Sequence, residues 1–170
     1  MINTRFSVAL HIMVELARNP GANLTSAILA TRVNTHAVAV RRIVRVLKEA
    51  GLVRSIQGPN GGVCLLGDAD TIPLSQIAEL TGENMGFATH RMAADEDRSN
   101  TFSDAVLSTI ESEQRKAHLA AMSHLDGITV KNILDASVLR SELNDLVAQG
   151  LSDQQIRWQY HIVSGHLVKK

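Results

Sequence analysis

Aromatic side chains make up 3% of the 170 residues, and there is a single cysteine, Cys64. One thiol excludes an internal disulfide framework and points to a reducing, cytoplasmic setting. So few rings leave the interior to aliphatic contacts, the pattern of a mainly helical protein. No apolar run approaches the roughly 20 residues needed to span a bilayer, so no membrane partner is expected. Even "RFSVALHIMVELA" near the start is interrupted by His11 and Glu15. Its Phe6, Leu10, Met13 and Ala17 recur at helical spacing, so it reads as an amphipathic first helix rather than a secretory signal, with His11 as a packing residue. His118 and His124 are six apart and His161 and His166 five apart. Neither gap stacks two rings on one helix face, so no metal site is expected. No nucleophile stands beside a base at a recognisable spacing, which argues against an enzyme.

What is present is an uneven distribution of charge inside a chain of zero net charge. Residues 1–66 hold eight cations against two anions, a net of +6, whereas residues 67–170 hold nine against fifteen, a net of −6. Phosphate attraction is local and screened beyond about 10 Å, so the basic segment predicts a polyanion partner for that segment alone.

Within the basic half, "TSAILATRV" reads as a short helix capped by Thr25 or Ser26, with Ile28, Leu29 and Val33 inward. "NTH" interrupts it. "AVAVRRIVRVLKEAG" follows as a longer helix with a buried stripe of Val40, Ile43, Val44 and Leu47, and with Gly51 suited to the position after its last turn. Helix, tight turn and helix make a helix-turn-helix. Left outside the stripe are His36, Ala37, Arg41, Arg42, Arg45 and Lys48, and the spacing of Arg41, Arg45 and Lys48 lines one exposed face. Arginine reads guanine edges and grips phosphate, so this face predicts contact with double-stranded DNA. The stretch "QGPNGGVCLL" then supplies a hairpin tip between "LVRSI" and "GVCLL", with Pro59 and Asn60 where a tight turn wants them. It has neither a Walker lysine nor a helix leaving the glycines, which excludes a nucleotide loop. If Gly58 and Gly61 close the turn, Ser55 faces Cys64, and alternation puts Cys64 on the side of Val53 and Leu66. That makes Cys64 a small packed residue, with a redox-sensing thiol as the alternative.

The runs "TRFSVALHIMVELA", "VNTHAVAVRRIVRVLKEAGLVRSIQGPNGGV" and "IPLSQIAELTGE" resemble the Rrf-two family of bacterial winged-helix transcription regulators, over about residues 3 to 136. The resemblance implies a homodimer on a palindromic operator, with DNA contacts from the recognition helix and the wing. Those positions are here His36, Ala37, Arg41, Arg42, Arg45, Arg54, Gln57, Pro59, Asn60 and Gly61, and Thr25 and Ser26 at the start of the preceding helix complete the candidate set. Sensing members of the family carry three cysteines between the winged helix and a long dimer helix, where they bind an iron–sulfur cluster. In this chain that segment, "GENMGFATHRMAADEDRSN", has none. His90 with nearby acids is a poor substitute for thiolates, so no cluster and no other cofactor is expected.

"TFSDAVLSTIESEQRKAHLAAM" places Phe102, Val106, Ile110, Ala117 and Ala121 near one stripe and reads as the dimer helix. "GITVKNIL" fits a short closing helix. Past residue 136, Leu139, Leu143 and Leu146 share a face of a helix that Gly150 can end. Ser152 with Gln155 caps another, whose Ile156, Tyr160, Val163 and Leu167 repeat at helical spacing.

The expected fold is mainly α with a small β-hairpin wing: a winged helix-turn-helix over 1–82, a linker and dimerisation helices over 83–136, and a C-terminal helical extension over 137–170. The expected function is an operator-binding homodimeric repressor, with a winged-helix protein-interaction module or a thiol sensor acting through Cys64 as alternatives. A small-molecule effector is left open.

Overall fold

The computed structural model describes residues 4–82 and 101–170. Expectations that fall on residues 83–100, His90 and most of the linker among them, lie outside the described residues.

The chain runs through α1 (Arg5–Arg18), α2 (Ser26–Val33), α3 (Ala37–Glu49), β1 (Val53–Ile56), β2 (Gly62–Leu65) and α4 (Leu74–Thr81). It continues with α5 (Thr101–Asp126), α6 (Val130–Ala148), α7 (Asp153–Gln159), β3 (Tyr160–Val163) and β4 (His166–Lys169). This is the expected mainly helical architecture with a hairpin wing.

α1 is the hub, packing against α2, α3, α4 and α6. Its Ile12, Met13 and Leu16 are essentially inaccessible, and Phe6, Leu10 and Ala17 flank them, half-buried. His11 is exposed and lines the groove between α1 and α6, so it is not the packing residue that its apolar neighbours suggested. The sequence spacing placed it correctly on a helix but one residue off the buried arc.

Val130, at the start of α6, is fully buried in the same core. Around it, Leu74 N–H donates to Ile128 O at 2.8 Å and Val130 N–H to Ile72 O at 3.0 Å. Ser75 Oγ donates to Asp126 Oδ1 at 2.7 Å. These bonds tie the α5–α6 junction to the winged helix, although α5 itself projects away with most of its surface exposed.

Two expectations for the C-terminal part are corrected. The short closing helix and the leucine helix are one continuous α6 of 19 residues, opened by a capping box between Thr129 and Asn132. No helix breaker stands between Leu134 and Leu139, so nothing ends the first helix there. The helix expected from Ser152 to Leu167 does begin with the Ser152–Gln155 capping box, but it stops at Gln159. The remaining residues form an antiparallel hairpin with Ile162 opposite Leu167. Ser164 and Gly165 both have positive φ, at 50° and 83°, the signature of a two-residue turn whose twist matches the flanking strands.

The hairpin lies back on α6. Leu167 N–H donates to Glu142 Oε2 at 2.7 Å and the His166 ring pairs with Oε1 at 2.8 Å. The Leu167 amide foremost, and then the His166 ring, hold the Glu142 carboxyl below its ordinary range.

The wing is anchored to the loop before α2. Leu24 and Val63 exchange both backbone hydrogen bonds, at 2.9 and 2.8 Å. That close approach needs Gly62: a Cβ there would lie 2.8 Å from Asn23 C and 2.9 Å from Leu24 O, both backbone atoms. Replacing Gly62 by Ala should therefore displace the wing from the α1–α2 loop and cost about 1–3 kcal/mol, as overpacking does. Thermal unfolding should show a midpoint several degrees lower. An unchanged midpoint would mean that the bridge between Leu24 and Val63 is dispensable.

Candidate nucleic-acid interface

α3 has one face committed to the core. Val40, Ile43, Val44 and Leu47 are buried, as their spacing required. The helix is held at both ends. Asn34, left-handed at φ 55°, ends α2 and turns the chain into α3, with Thr35 N–H donating to Ala30 O at 2.9 Å. At the other end Gly51 N–H donates to Lys48 O and Leu52 N–H to Leu47 O, each at 3.0 Å, with Gly51 at φ 73°. This is the Schellman arrangement, and it places the first wing strand directly after the helix.

Pinning those four residues turns the opposite face outward. Arg41, Arg45 and Lys48 are all exposed on it. Arg45 Nε pairs with Glu49 Oε1 at 2.9 Å, an ion pair between largely exposed side chains that adds little stability. One residue on this face escaped the sequence reading: Val38, 69% exposed, lies three residues before Arg41 on the same stripe. An unburied β-branched side chain in the first turn of such a helix was the available signal. Arg42 sits about 100° around the helix from Arg41. It lines a cavity of about 350 Å³ with residues of α1 and α4, off the stripe. His36 is the residue before the helix and is exposed, while Ala37 is half-buried.

At the start of α2, Thr25 is the cap, its hydroxyl accepting from Ile28 N–H at 3.2 Å. Thr25 is exposed and Ser26 half-buried.

In the wing the register differs from the expected one. Arg54 pairs with Cys64, Ser55 with Val63 and Ile56 with Gly62. Gly61 N–H does donate to Gly58 O at 2.9 Å, closing the turn over Pro59 and Asn60. Gln57 adds one unpaired residue before that turn, which shifts every partner by one. Cys64 therefore shares its side of the hairpin with Arg54 rather than Val53. It is 8% exposed all the same. Arg54, Gln57, Pro59 and Asn60 are exposed. Gly61 is half-buried, and a Cβ there would lie 2.8 Å from Gly58 O, so its glycine is required by the hairpin's own backbone. Asn23 Nδ2 donates to Asn60 O at 3.3 Å, steadying the tip from the α1–α2 loop.

Among the described residues no helix is long and apolar enough to cross a membrane.

The family model Rrf2, described as "Iron-dependent Transcriptional regulator", matches residues 2–136. YwnA of Bacillus subtilis, named as an HTH-type transcriptional regulator, is 33% identical over 90 residues, which is 53% of this chain and 66% of that protein. Two solved structures share the fold. CymR, the global cysteine regulator of B. subtilis, aligns with a TM-score of 0.53 at 23% identity, covering 79% of this chain and 95% of its own. IscR of T. potens aligns with a TM-score of 0.54 at 18% identity, covering 90% and 93%.

The donor set of this chain does not fit an iron–sulfur cluster. Such clusters are held by several thiolates, and the one cysteine is buried in the wing. Among the described residues no three His, Cys, Asp or Glu side chains gather as a metal site. With its family model matched over most of its length and its winged helix intact, the chain belongs to the Rrf2 family of transcriptional regulators.

Proposed function

We propose that this regulator is a homodimer that binds a palindromic operator and represses transcription, with residues 1–82 binding DNA, 83–136 pairing the two copies and 137–170 extending that part. The observation that carries the reading is the stripe of Val38, Arg41, Arg45 and Lys48, turned outward by the burial of the opposite side of α3. A helix of this kind enters the major groove with its first turns nearest the bases. Arg41 then meets a guanine edge, Val38 the methyl group of a neighbouring thymine, and Arg45 and Lys48 the phosphate rail. Arg54, Gln57, Pro59 and Asn60 place the wing along the sugar-phosphate backbone. Thr25 and Ser26 stand at the N-terminus of α2, where amide groups favour phosphate. His36 and Ala37 lie at the entry to α3, and Arg42 serves α3 from its flank.

The apolar stripe of α5, running from Phe102, Val106 and Ile110 on through Ala117 and Ala121, supplies the pairing surface. Two-fold pairing would set the two α3 helices about 34 Å apart, one turn of DNA. Cys64 is packed into the wing, which favours a structural role over the sensing alternative.

Operator fragments selected from the source genome test this directly. Affinity should fall steeply with salt, with a slope near −0.9 per phosphate neutralised. Arg41→Ala should cost about 1–3 kcal/mol and relax preference at one base pair, whereas Asn60→Ala should weaken all sequences alike. Replacing a single operator thymine by deoxyuridine should weaken the wild-type protein and leave Val38→Ala unaffected. Salt-sensitive binding without sequence preference would replace this reading by a module that docks on acidic proteins.

Cys64 gives an independent check. In the native protein it should react with a thiol reagent far more slowly than in the unfolded chain, and Cys64→Ala should keep operator affinity. Loss of operator binding on mild oxidation, abolished in Cys64→Ala, would establish the sensor instead.

A further inference from the structure

The chain continues past the family match at residue 136 into α7 and the β3–β4 hairpin, and this appendage is only half used within the protomer. One side is fixed to α6 through Glu142, with Leu167 and Tyr160 half-buried and Ile156 buried. Apolar area nevertheless remains exposed: Trp158 at 77% in α7, Val163 at 45% and Val168 at 41% on one face of the hairpin, and Ile162 at 59% on the other, the face of Leu167. A two-stranded hairpin is marginal in water without more apolar contact than this. Its charge has one sign, since residues 154–170 contain Arg157, Lys169 and Lys170 and no acid.

The first half of α5 has the complementary properties. Residues 101–114 contain Asp104, Glu111 and Glu113 and no cation; Glu113 also pairs with Lys116 at 2.7 Å, an exposed pair that holds it only weakly. Phe102, 76% exposed, and Val106 and Ile110, each 41% exposed, repeat every four residues along one side, and Glu113 falls on that same side. The two surfaces do not cover one another within a protomer, as those exposures record. Phe102 also stands about 36 Å along the helix from Asp126, whereas the hairpin lies over α6 with its turn against Asp135.

We propose that the C-terminal hairpin of one protomer covers the first half of α5 of the other, so that a dimer contains two identical clasps. The proposal rests on the homodimer reading above. Opposite sign, matching apolar faces and a shared two-fold axis satisfy both surfaces at once. Val163 and Val168, which share one face of the hairpin, together with the exposed Trp158 suit an apolar helix better than a phosphate rail.

The full chain carries its own probe, because Trp158 is its one tryptophan. As protomers associate, followed by analytical ultracentrifugation, Trp158 emission should move to shorter wavelength and become shielded from iodide. Two charge-reversed chains supply the second arm: Glu111→Lys with Glu113→Lys, and Arg157→Glu with Lys169→Glu, each first checked for native circular dichroism. Each alone should dimerise about tenfold or more weakly, and mixing them should restore a heterodimer to within a few-fold of wild type. If the wild-type dimer forms while Trp158 emission stays that of a solvent-exposed indole, or the mixed chains show no preference for each other, the clasp is wrong and the dimer stands. An emission shift that appears only on adding duplex DNA would make the hairpin a DNA contact and overturn the clasp. A chain that stays monomeric at every concentration would instead remove the homodimer reading on which the clasp rests.

Discussion

The burial of Val40, Ile43, Val44 and Leu47 is the constraint that fixes the candidate interface. Losing one such residue, as in Leu47→Ala, removes about 2–5 kcal/mol, a large part of the stability of a domain this size. The helix therefore has no freedom to roll about its axis. Residues on the opposite arc of the helix, Val38, Arg41, Arg45 and Lys48, are forced outward, and in this chain they are mostly cationic. The charged face is a geometric consequence of the apolar one, which is why zero net charge for the whole chain says nothing against it.

The wing obeys a second constraint of the same kind. Two backbone hydrogen bonds between Leu24 and Val63 bring β2 against the loop before α2, and the Schellman turn at Gly51 fixes where β1 begins. The tip of the hairpin is thus placed relative to both helices of the helix-turn-helix. Gly61 belongs to the expected contact set at the tip, and Gly62 follows it at the start of β2. In the structure the neighbours that would meet their Cβ atoms are the chain's own backbone. Of the expected wing positions, Arg54, Gln57, Pro59 and Asn60 keep exposed side chains.

Legibility in the sequence tracked the strength of local signals. α3 could be read almost residue by residue, because its apolar period is strong and its stop is a glycine. The wing was legible as a hairpin but not in register, since a turn hydrogen bond from Gly61 to Gly58 is compatible with pairing that starts at Gln57 or at Ile56. Only the second occurs. The end of the chain misled for a different reason. Ile156, Tyr160, Val163 and Leu167 fit a helical period, yet the segment between them is rich in β-branched residues and contains Ser164-Gly165, a pair suited to positive φ. Turn chemistry outweighed periodicity there. Val38 carries only an ambiguous signal, because an apolar residue in a helix fits a core as well as it fits a partner surface.

α1 joins the two halves. It packs on α2, α3 and α4 within the winged helix and on α6 beyond it, and Glu15 on α1 pairs with Arg32 on α2 at 2.9 Å. α6 in turn carries the C-terminal hairpin through Glu142, and its first residue is buried in the common core. A displacement of α6 cannot be absorbed by compressing that core, because packed interiors shift between discrete arrangements rather than deform smoothly. α1, which packs on both, lies between α6 and the buried side of α3, where Ile43 and Leu47 sit. The C-terminal hairpin, remote in sequence from the arginines, is thus connected to α3 through α6, α1 and the shared core.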